Sequence, residues 1–181
     1  MTVLVNAQVK VYEKGGTYSL NVFEMQEIGR GEIYLNFLRL KEKLQKEGLF
    51  DEEKKLPLPE WAEHVGVITS PTGDALQDIL TTIKKRWPLT RVYLYPALVQ
   101  GKEAPASLIA ALQAAQKNKL LDVIIIARGG GSAEDLSCFN DEGLARAVFA
   151  SRIPTVSGVG HESDFTIIDF VASRRAPTPT G

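Results

Sequence analysis

The pattern of apolar and polar positions changes once along the chain, near residue 60. Before that point, apolar residues alternate with polar ones on both sides of a glycine-containing turn; they are Val9 and Val11 before the turn, and Tyr18, Leu20 and Val22 after it. Alternation with a period of two, interrupted by the Lys-Gly-Gly-Thr turn at 14–17, predicts a β-hairpin.

A helix and a linker are predicted between the hairpin and residue 60. Three leucines recur at near-helical spacing between residues 32 and 47, and Gly48 is a natural stop. These leucines are Leu35, Leu38 and Leu44. Residues 50–59 carry a charged run and two prolines, which indicates an exposed linker.

From residue 65 onward, short apolar runs alternate with segments of helical spacing. The apolar runs predict four strands, at residues 65–69, 92–95, 122–127 and 153–157. Four segments predict helices; they begin near Leu76, near Leu108, at Asn140 or Asp141, and at His161, and the last extends to Arg175. This alternation predicts an α/β fold with right-handed crossovers and a parallel sheet that helices cover on both faces.

Polar or glycine-rich segments follow all four predicted strands. They are residues 69–73, 95–101, 128–132 and 157–164. Ligands of an open parallel sheet bind outside the carboxyl ends of the strands, so these segments are predicted to meet at one edge. Together they offer hydroxyls, an arginine with glycines, and a histidine with carboxylates, which are the groups that phosphoryl transfer or hydrolysis requires.

The third of these segments predicts an anion site. Three consecutive glycines let the backbone adopt positive φ angles and approach a ligand closely, and the guanidinium of Arg128 can bind two phosphate oxygens at once. Phosphate contacts are predicted for these glycines and for the hydroxyls of the same edge, which are Gly129, Gly130, Gly131, Ser70, Thr72 and Ser132. The alternative is a tight strand-to-helix turn with an incidental arginine.

His161 and Asp164 form the sharpest chemical pair. At i and i+3 on the first turn of the predicted helix they share a face, so the carboxylate can orient the imidazole. The alternative makes Asp164 a favourable charge at the helix N-terminus and His161 a surface residue. His64 is interpreted as structural or exposed. Asp78 lies off the apolar stripe of the helix predicted near Leu76, so periodicity alone predicts that its side chain is solvated.

The composition of the chain limits the size of its core, its binding partners and its cellular location. The 181 residues, 44% of them hydrophobic, suffice for one core and a small appendage. The net charge of −1 attracts nucleic acid little, so such binding must come from local basic clusters. Cys138 is the single cysteine, which excludes an intramolecular disulfide, and no zinc-site spacing occurs. No segment has the apolar length of a membrane span and no signal peptide is recognisable, so we predict a cytoplasmic protein without a membrane partner.

Five motifs occur in order along the second part of the chain. They are GVITSPTG at 66–73, YP at 95–96 with VQG at 99–101, RGGGS at 128–132 with EDL at 134–136 and FN at 139–140, VGHE at 159–162 with Asp164, and RAPTP at 175–179. In this order they resemble the large-subunit family of bacterial exodeoxyribonuclease VII. The similarity is continuous over residues 65–181 and weaker before them.

The resemblance implies a nuclease that hydrolyses phosphodiester bonds of single-stranded DNA, as an exonuclease acting from either end, and gives 5′-phosphorylated products. Carried over position by position, it implies catalytic roles for Asp78, Arg128, His161 and Asp164. It implies no strict metal requirement and no metal ligands, although stimulation by Mg²⁺ is compatible with it. The implied partners are single-stranded DNA and the small subunit of exonuclease VII.

The resemblance also divides the chain. Residues 1–31 correspond to the end of an OB-fold nucleic-acid-binding domain, residues 32–62 to a helix and linker, and residues 63–181 to the catalytic α/β domain. One hairpin cannot close a five-stranded barrel, so the OB-fold is expected to be partial, with Tyr12, Tyr18 and Phe23 as candidates for base stacking. The family continues into a coiled coil that binds the small subunits, so we expect a fragment that lacks this region.

Two other functions remain open. The same edge could serve an α/β enzyme that acts on a small nucleotide or phosphorylated substrate. The chain could also be a non-catalytic module for single-stranded DNA binding or assembly. Tighter binding of a mononucleotide than of an oligonucleotide favours the first, and strand binding without cleavage favours the second.

Overall fold

The computed structural model describes residues 2–12, 17–28 and 30–179, and the chain divides into two compact units, residues 1–36 and 37–181. In the first unit, the predicted hairpin is confirmed by two antiparallel strands, β1 (Thr2–Tyr12) and β2 (Thr17–Ile28). Both strands extend beyond the alternation that predicted them, because the antiparallel pairing continues as far as Thr2 opposite Ile28.

Among the predicted stacking residues of the hairpin, the structure describes the side chain of Phe23. The strand pairing skips Phe23, whose side chain is 70% exposed. Residues 13–16, which contain most of the predicted turn, and the side chains of Tyr12 and Tyr18 lie outside the described part of the chain.

Helix α1 (Arg30–Lys46) confirms the predicted helix and begins two residues earlier. Leu44 is fully buried in the core of the second unit, whereas Leu35 and Leu38 are exposed. The predicted linker is largely exposed and contains a 3₁₀ helix (Glu52–Lys54).

The second unit is built on a parallel sheet. Its strands are β3 (His64–Thr69), β4 (Arg91–Pro96), β5 (Val123–Arg128), β6 (Thr155–Val159) and β7 (Arg174–Arg175), in the order β4-β3-β5-β6-β7. Its helices are α2 (Asp74–Arg86), α3 (Ala104–Gln116), α4 (Ala133–Leu136), α5 (Glu142–Phe149) and α6 (Ile167–Val171), with a 3₁₀ helix at Ser137–Asn140. The α/β class and the four predicted strands are confirmed, and β7 adds a fifth.

Helices cover both faces of this sheet, as predicted. Val65 and Val67 of β3 pack with Leu76 and Ile79 of α2 on one face. Ile68, which alternates with them along β3, belongs to the larger core formed with α3, α5 and α6 on the other face. Across the described ranges, no helix combines the length and the apolarity needed to cross a membrane.

The predicted helix from His161 to Arg175 is wrong. Only Ile167–Val171 is helical, residues 161–166 form a turn and a loop, and the segment ends in β7. In place of a helical ladder, the His161 N–H donates to the Asp164 carboxylate, and the carbonyls of Glu162 and Asp164 accept from the Arg175 side chain.

Candidate active site

A cleft of about 520 Å³ opens at the carboxyl ends of β3 and β5. Its walls come from the loops after β3, β4 and β5 and from the start of α2; the lining residues include Thr69, Ser70, Gly73, Asp74, Asp78, Gln100, Arg128, Gly129 and Gly130. Three of the four segments that were predicted to converge therefore meet in one cleft. The fourth reaches its rim through His161, whose ring lies against Gly130.

Arg128, the last residue of β5, is only 8% exposed. Its Nη2 donates to the side-chain oxygen of Gln100 at 2.9 Å, and its Nη1 donates to the carbonyl of Gly130 at 3.0 Å. The Asp135 carboxylate lies 3.8 Å from Nη2, and hydrogen bonds from the main chain and hydroxyl of Ser132 hold the pKa of Asp135 below its usual range. Two neutral acceptors thus fix the guanidinium while its charge is only partly balanced, which suits an anion.

The glycine loop packs its backbone directly on two of these side chains. A Cβ on Gly130 would overlap the His161 ring, and one on Gly131 would overlap the Arg128 guanidinium, whereas Gly129 has open space around its missing Cβ. The loop backbone therefore lies close to side chains of the chain itself, and its predicted approach to a ligand stays a prediction. The expected positive φ angles do not occur at these three glycines.

His161 and Asp164 meet in a tight turn that begins at Gly160. The Asp164 carboxylate accepts from the His161 amide N–H at 2.8 Å and lies 3.5 Å from Nδ1 of the imidazole. Gly160 has a φ of +74°, where a side chain would be strained, and its N–H donates to the Arg128 carbonyl at 3.1 Å. The structure thus brings the predicted pair together in a turn tied to β5, rather than on a helix.

The remaining predicted residues occupy different places. Ser70 lines the cleft, and its hydroxyl lies 3.3 Å from that of Thr72. Ser132 is the N-cap of α4, where its hydroxyl accepts from the Asp135 amide at 3.2 Å. The Asp78 side chain is exposed on α2, as periodicity predicted, and lines the cleft that contains Arg128. In the described part of the chain, no group of three or more His, Cys, Asp or Glu residues is arranged to hold a metal.

Sequence reasoning missed two residues of this region. Gln100 accepts a hydrogen bond from Arg128. The feature of the sequence that could have identified it is its position after β4, at the edge where the other segments meet. Arg175 belongs to β7, and its Nη2 donates to the carbonyls of Glu162 and Asp164 at 2.9 and 2.8 Å. Its signal in the sequence was its place as the first residue of the RAPTP motif.

Comparison with known proteins agrees with the motifs. Residues 49–181 match the family described as "Exonuclease VII, large subunit". Relatives named "Exodeoxyribonuclease 7 large subunit" include those of Geobacillus kaustophilus, Bacillus cytotoxicus and Bacillus subtilis, which are 53% identical over 180 residues, 52% over 180 and 51% over 181. The alignments cover 99%, 99% and 100% of this chain and 40% of each relative, so the chain spans about 40% of their length. With the family matched across the cleft and half of all positions identical, the chain belongs to the exonuclease VII large-subunit family.

Proposed function

We propose that this chain carries the hydrolytic site of an exodeoxyribonuclease that cleaves single-stranded DNA from either end and releases 5′-phosphorylated products. The observation that carries the proposal is the meeting of Arg128 and His161 at Gly130, on the rim of one cleft. A fixed cation beside a proton-transferring group is what phosphodiester hydrolysis needs. The names of the relatives support the same reaction class.

In the proposed reaction, Arg128 and the amides of the glycine loop neutralise the charge that develops on the scissile phosphate. Water attacks phosphorus, the bond to the 3′-oxygen breaks, and one proton of the water ends on that oxygen. His161, oriented through Nδ1 by Asp164, transfers a proton as the base toward water or as the acid toward the leaving oxygen. Asp78 orients the water or supports Arg128 from the wall of the cleft.

Hydrolysis in this proposal does not strictly require a metal, and stimulation by Mg²⁺ is compatible with it. Asp74 and Asp78 fit a Mg²⁺ ion that binds together with substrate, since both line the cleft and they lie one helical turn apart on α2. Mg²⁺ is commonly held by one or two carboxylates plus substrate phosphates. When bound, the ion adds positive charge beside the phosphate.

The proposed partners are single-stranded DNA and the small subunit of exonuclease VII, in the cytoplasm. Residues 1–31 are proposed to be the end of an OB-fold domain, residues 32–62 its connection, and residues 63–181 the hydrolytic domain. The exposed ring of Phe23 is available to stack on a base.

The test uses a complete large subunit containing this chain, assembled with its small subunit, and oligonucleotides labelled at either end. We expect short 5′-phosphorylated products from both labels with single strands and none with duplex. Arg128→Ala should abolish cleavage, whereas Arg91→Ala, at an exposed arginine at the start of β4, should preserve it.

Two results would contradict the proposal. A preference for a mononucleotide or bis(p-nitrophenyl) phosphate over DNA would identify an enzyme for small substrates. Strand binding with steep salt dependence but no cleavage would identify a binding module.

A further inference from the structure

The turn that carries His161 and Asp164 is held from outside by one side chain. Nη2 of Arg175 donates to the carbonyls of Asp164 at 2.8 Å, Glu162 at 2.9 Å and His161 at 3.4 Å. Residues 161–164 lie outside the helices and strands, so their carbonyls depend on other donors. Nη2 of Arg175 has two N–H bonds for them, so its longer contact, to the His161 carbonyl, is a shared one, and that carbonyl also accepts from the Asp164 N–H at 3.0 Å.

Arg175 is itself anchored to the sheet. It pairs with Ser157 in the β6–β7 ladder, and the N–H of Ala176 donates to the Ser157 carbonyl at 2.7 Å. Its guanidinium carbon lies 4.0 Å from the centre of the Phe165 ring. Its Nε is buried and makes no hydrogen bond within the described residues, so the hydrogen bonds of the guanidinium are those that Nη2 makes to the turn.

We infer that Arg175 is a positioning residue of the hydrolytic site, fixing the turn so that Asp164 stays beside Nδ1 of His161 and the imidazole stays against Gly130. The inference rests on the proposed function, in which His161 transfers the proton. The His161 side chain is 70% exposed, so the turn, rather than surrounding packing, sets the position of its ring. A misplacement of about 1 Å can lower a reaction rate on the order of 100-fold.

Three variants separate this role from a general structural one. Arg175→Met keeps an unbranched stem beside Phe165 and removes every donor. Arg175→Lys keeps a cation with three donors on a shorter side chain, and is the conservative variant. Arg174→Met is the matched control because Arg174 is the exposed neighbour in the same strand.

The first readout is cleavage of single-stranded DNA by the complete large subunit with its small subunit. In Arg175→Met we expect kcat to fall on the order of 100-fold with KM unchanged. Arg175→Lys should recover part of this loss, and Arg174→Met should lose nothing.

The second readout needs no cleavage. It is hydrogen exchange of main-chain amides, followed by NMR in the 181-residue chain. In Arg175→Met, the amides of His161 and Asp164 should exchange at least about 10-fold faster, while that of Ile124 in the centre of the sheet keeps its protection. Arg174→Met should change none of these amides.

Unchanged exchange at His161 and Asp164 would overturn the inference, and so would an equal acceleration at Ile124. If Arg175→Met does not fold, the comparison is made with Arg175→Lys; loss of the fold in both would make Arg175 a general stability residue and overturn the inference. The two readouts also separate the two proposals. If the enzyme never cleaves DNA, but the His161 and Asp164 amides exchange faster in Arg175→Met, the proposed function is refuted and the role of Arg175 in fixing the turn is supported.

Discussion

Arg128 is the residue on which the proposed site is built. It is buried at the end of β5, and an amide oxygen, a main-chain carbonyl and a nearby carboxylate hold its guanidinium at the cleft. Donors fixed in this way need no reorganisation when charge develops on a phosphate. A lysine would bring the charge without the planar group or its five donors, so the position depends on arginine itself.

Arg128→Lys should therefore lower the single-turnover rate of DNA cleavage on the order of 100- to 1000-fold, the loss seen when a fixed transition-state donor is removed. Affinity for an uncleaved strand, measured by fluorescence anisotropy, should change far less because the positive charge remains. Arg91→Lys serves as the control at an exposed arginine. A wild-type rate in Arg128→Lys would show that the planar group is not needed.

Cys138 should be unreactive in the folded chain. It is buried, and this burial raises the pKa of its thiol to about 11. Only the thiolate reacts with iodoacetamide, so at pH 8 the native thiol should react roughly 100-fold more slowly than the thiol of the urea-unfolded chain, whose pKa is about 8.5. Equal rates in the two states would contradict the prediction.

The raised pKa of Cys138 also predicts how the free energy of unfolding changes with pH. The pKa of Cys138 is higher in the folded chain than in the unfolded one, so the folded state retains this proton more strongly. The resulting stabilisation is fully present below a pH of about 8.5 and is lost as the pH rises toward 11. Replacement of Cys138 by alanine should remove this part of the alkaline loss of stability, as followed by urea unfolding.

At the scale of elements, the loop between β5 and α4 brings the cation and the histidine together. Its backbone lies against the Arg128 guanidinium at Gly131 and against the His161 ring at Gly130, while Gly129 borders open space. The three glycines are therefore unequal, although the sequence presents them as one run.

Gly130→Ala should lower cleavage on the order of 100-fold because the new methyl group displaces the His161 ring. Its effect on the free energy of unfolding should be small, since the exposed ring can move aside. Gly129→Ala is the comparison: its methyl group would enter open space while the loop amide stays in place, so the cleavage rate should fall much less than in Gly130→Ala. Equal activity of the two variants would separate His161 from the reaction.

At the start of helix α6, the carboxylate of Asp169 accepts three hydrogen bonds. It accepts from Ser157 Oγ at 2.6 Å, from the Thr166 amide at 2.7 Å and from Thr166 Oγ1 at 2.9 Å. Asp169→Ala leaves these buried donors without their acceptor and should lower the free energy of unfolding by about 3 kcal/mol. Urea denaturation measures the change, with Asp141→Ala, which removes the N-cap of α5, as a comparison expected to cost about 1 kcal/mol. A smaller loss for Asp169→Ala than for Asp141→Ala would contradict this role.

The elements differ in how far the sequence predicts them. Apolar periodicity predicts the hairpin, the longer helices and four strands because each pattern extends over several residues. It cannot predict β7, because that strand consists of two arginines. It also predicts a helix at residues 161–166, where the His161 N–H and the Glu162 carbonyl bond to side chains instead. Arg128 and His161 were predicted at the site because parallel strands end at a common edge. Gln100 and Arg175 were missed because their partners lie 28 and 11 residues away and become neighbours only in three dimensions.

At the scale of the whole molecule, all the proposed catalytic residues lie in the unit of residues 37–181. The sheet places them near one edge, since Arg128 ends β5, the turn with His161 and Asp164 follows β6, and Asp78 lies on α2, which follows β3. The chain spans about 40% of the length of its relatives, so strand delivery and assembly with the small subunit belong to experiments on a complete large subunit. The proposed chemistry is placed at the rim of one cleft.

The most direct test of that chemistry is the single-turnover rate of single-stranded DNA cleavage by a complete large subunit carrying His161→Ala, assembled with its small subunit. The rate should fall at least about 100-fold, as expected when a proton-transferring group is lost, while the Kd for an uncleaved strand stays unchanged. His64→Gln, at the other histidine of these 181 residues, should cleave at the wild-type rate. A His161→Ala enzyme that cleaves as fast as the wild type would contradict the assignment of this cleft as the hydrolytic site.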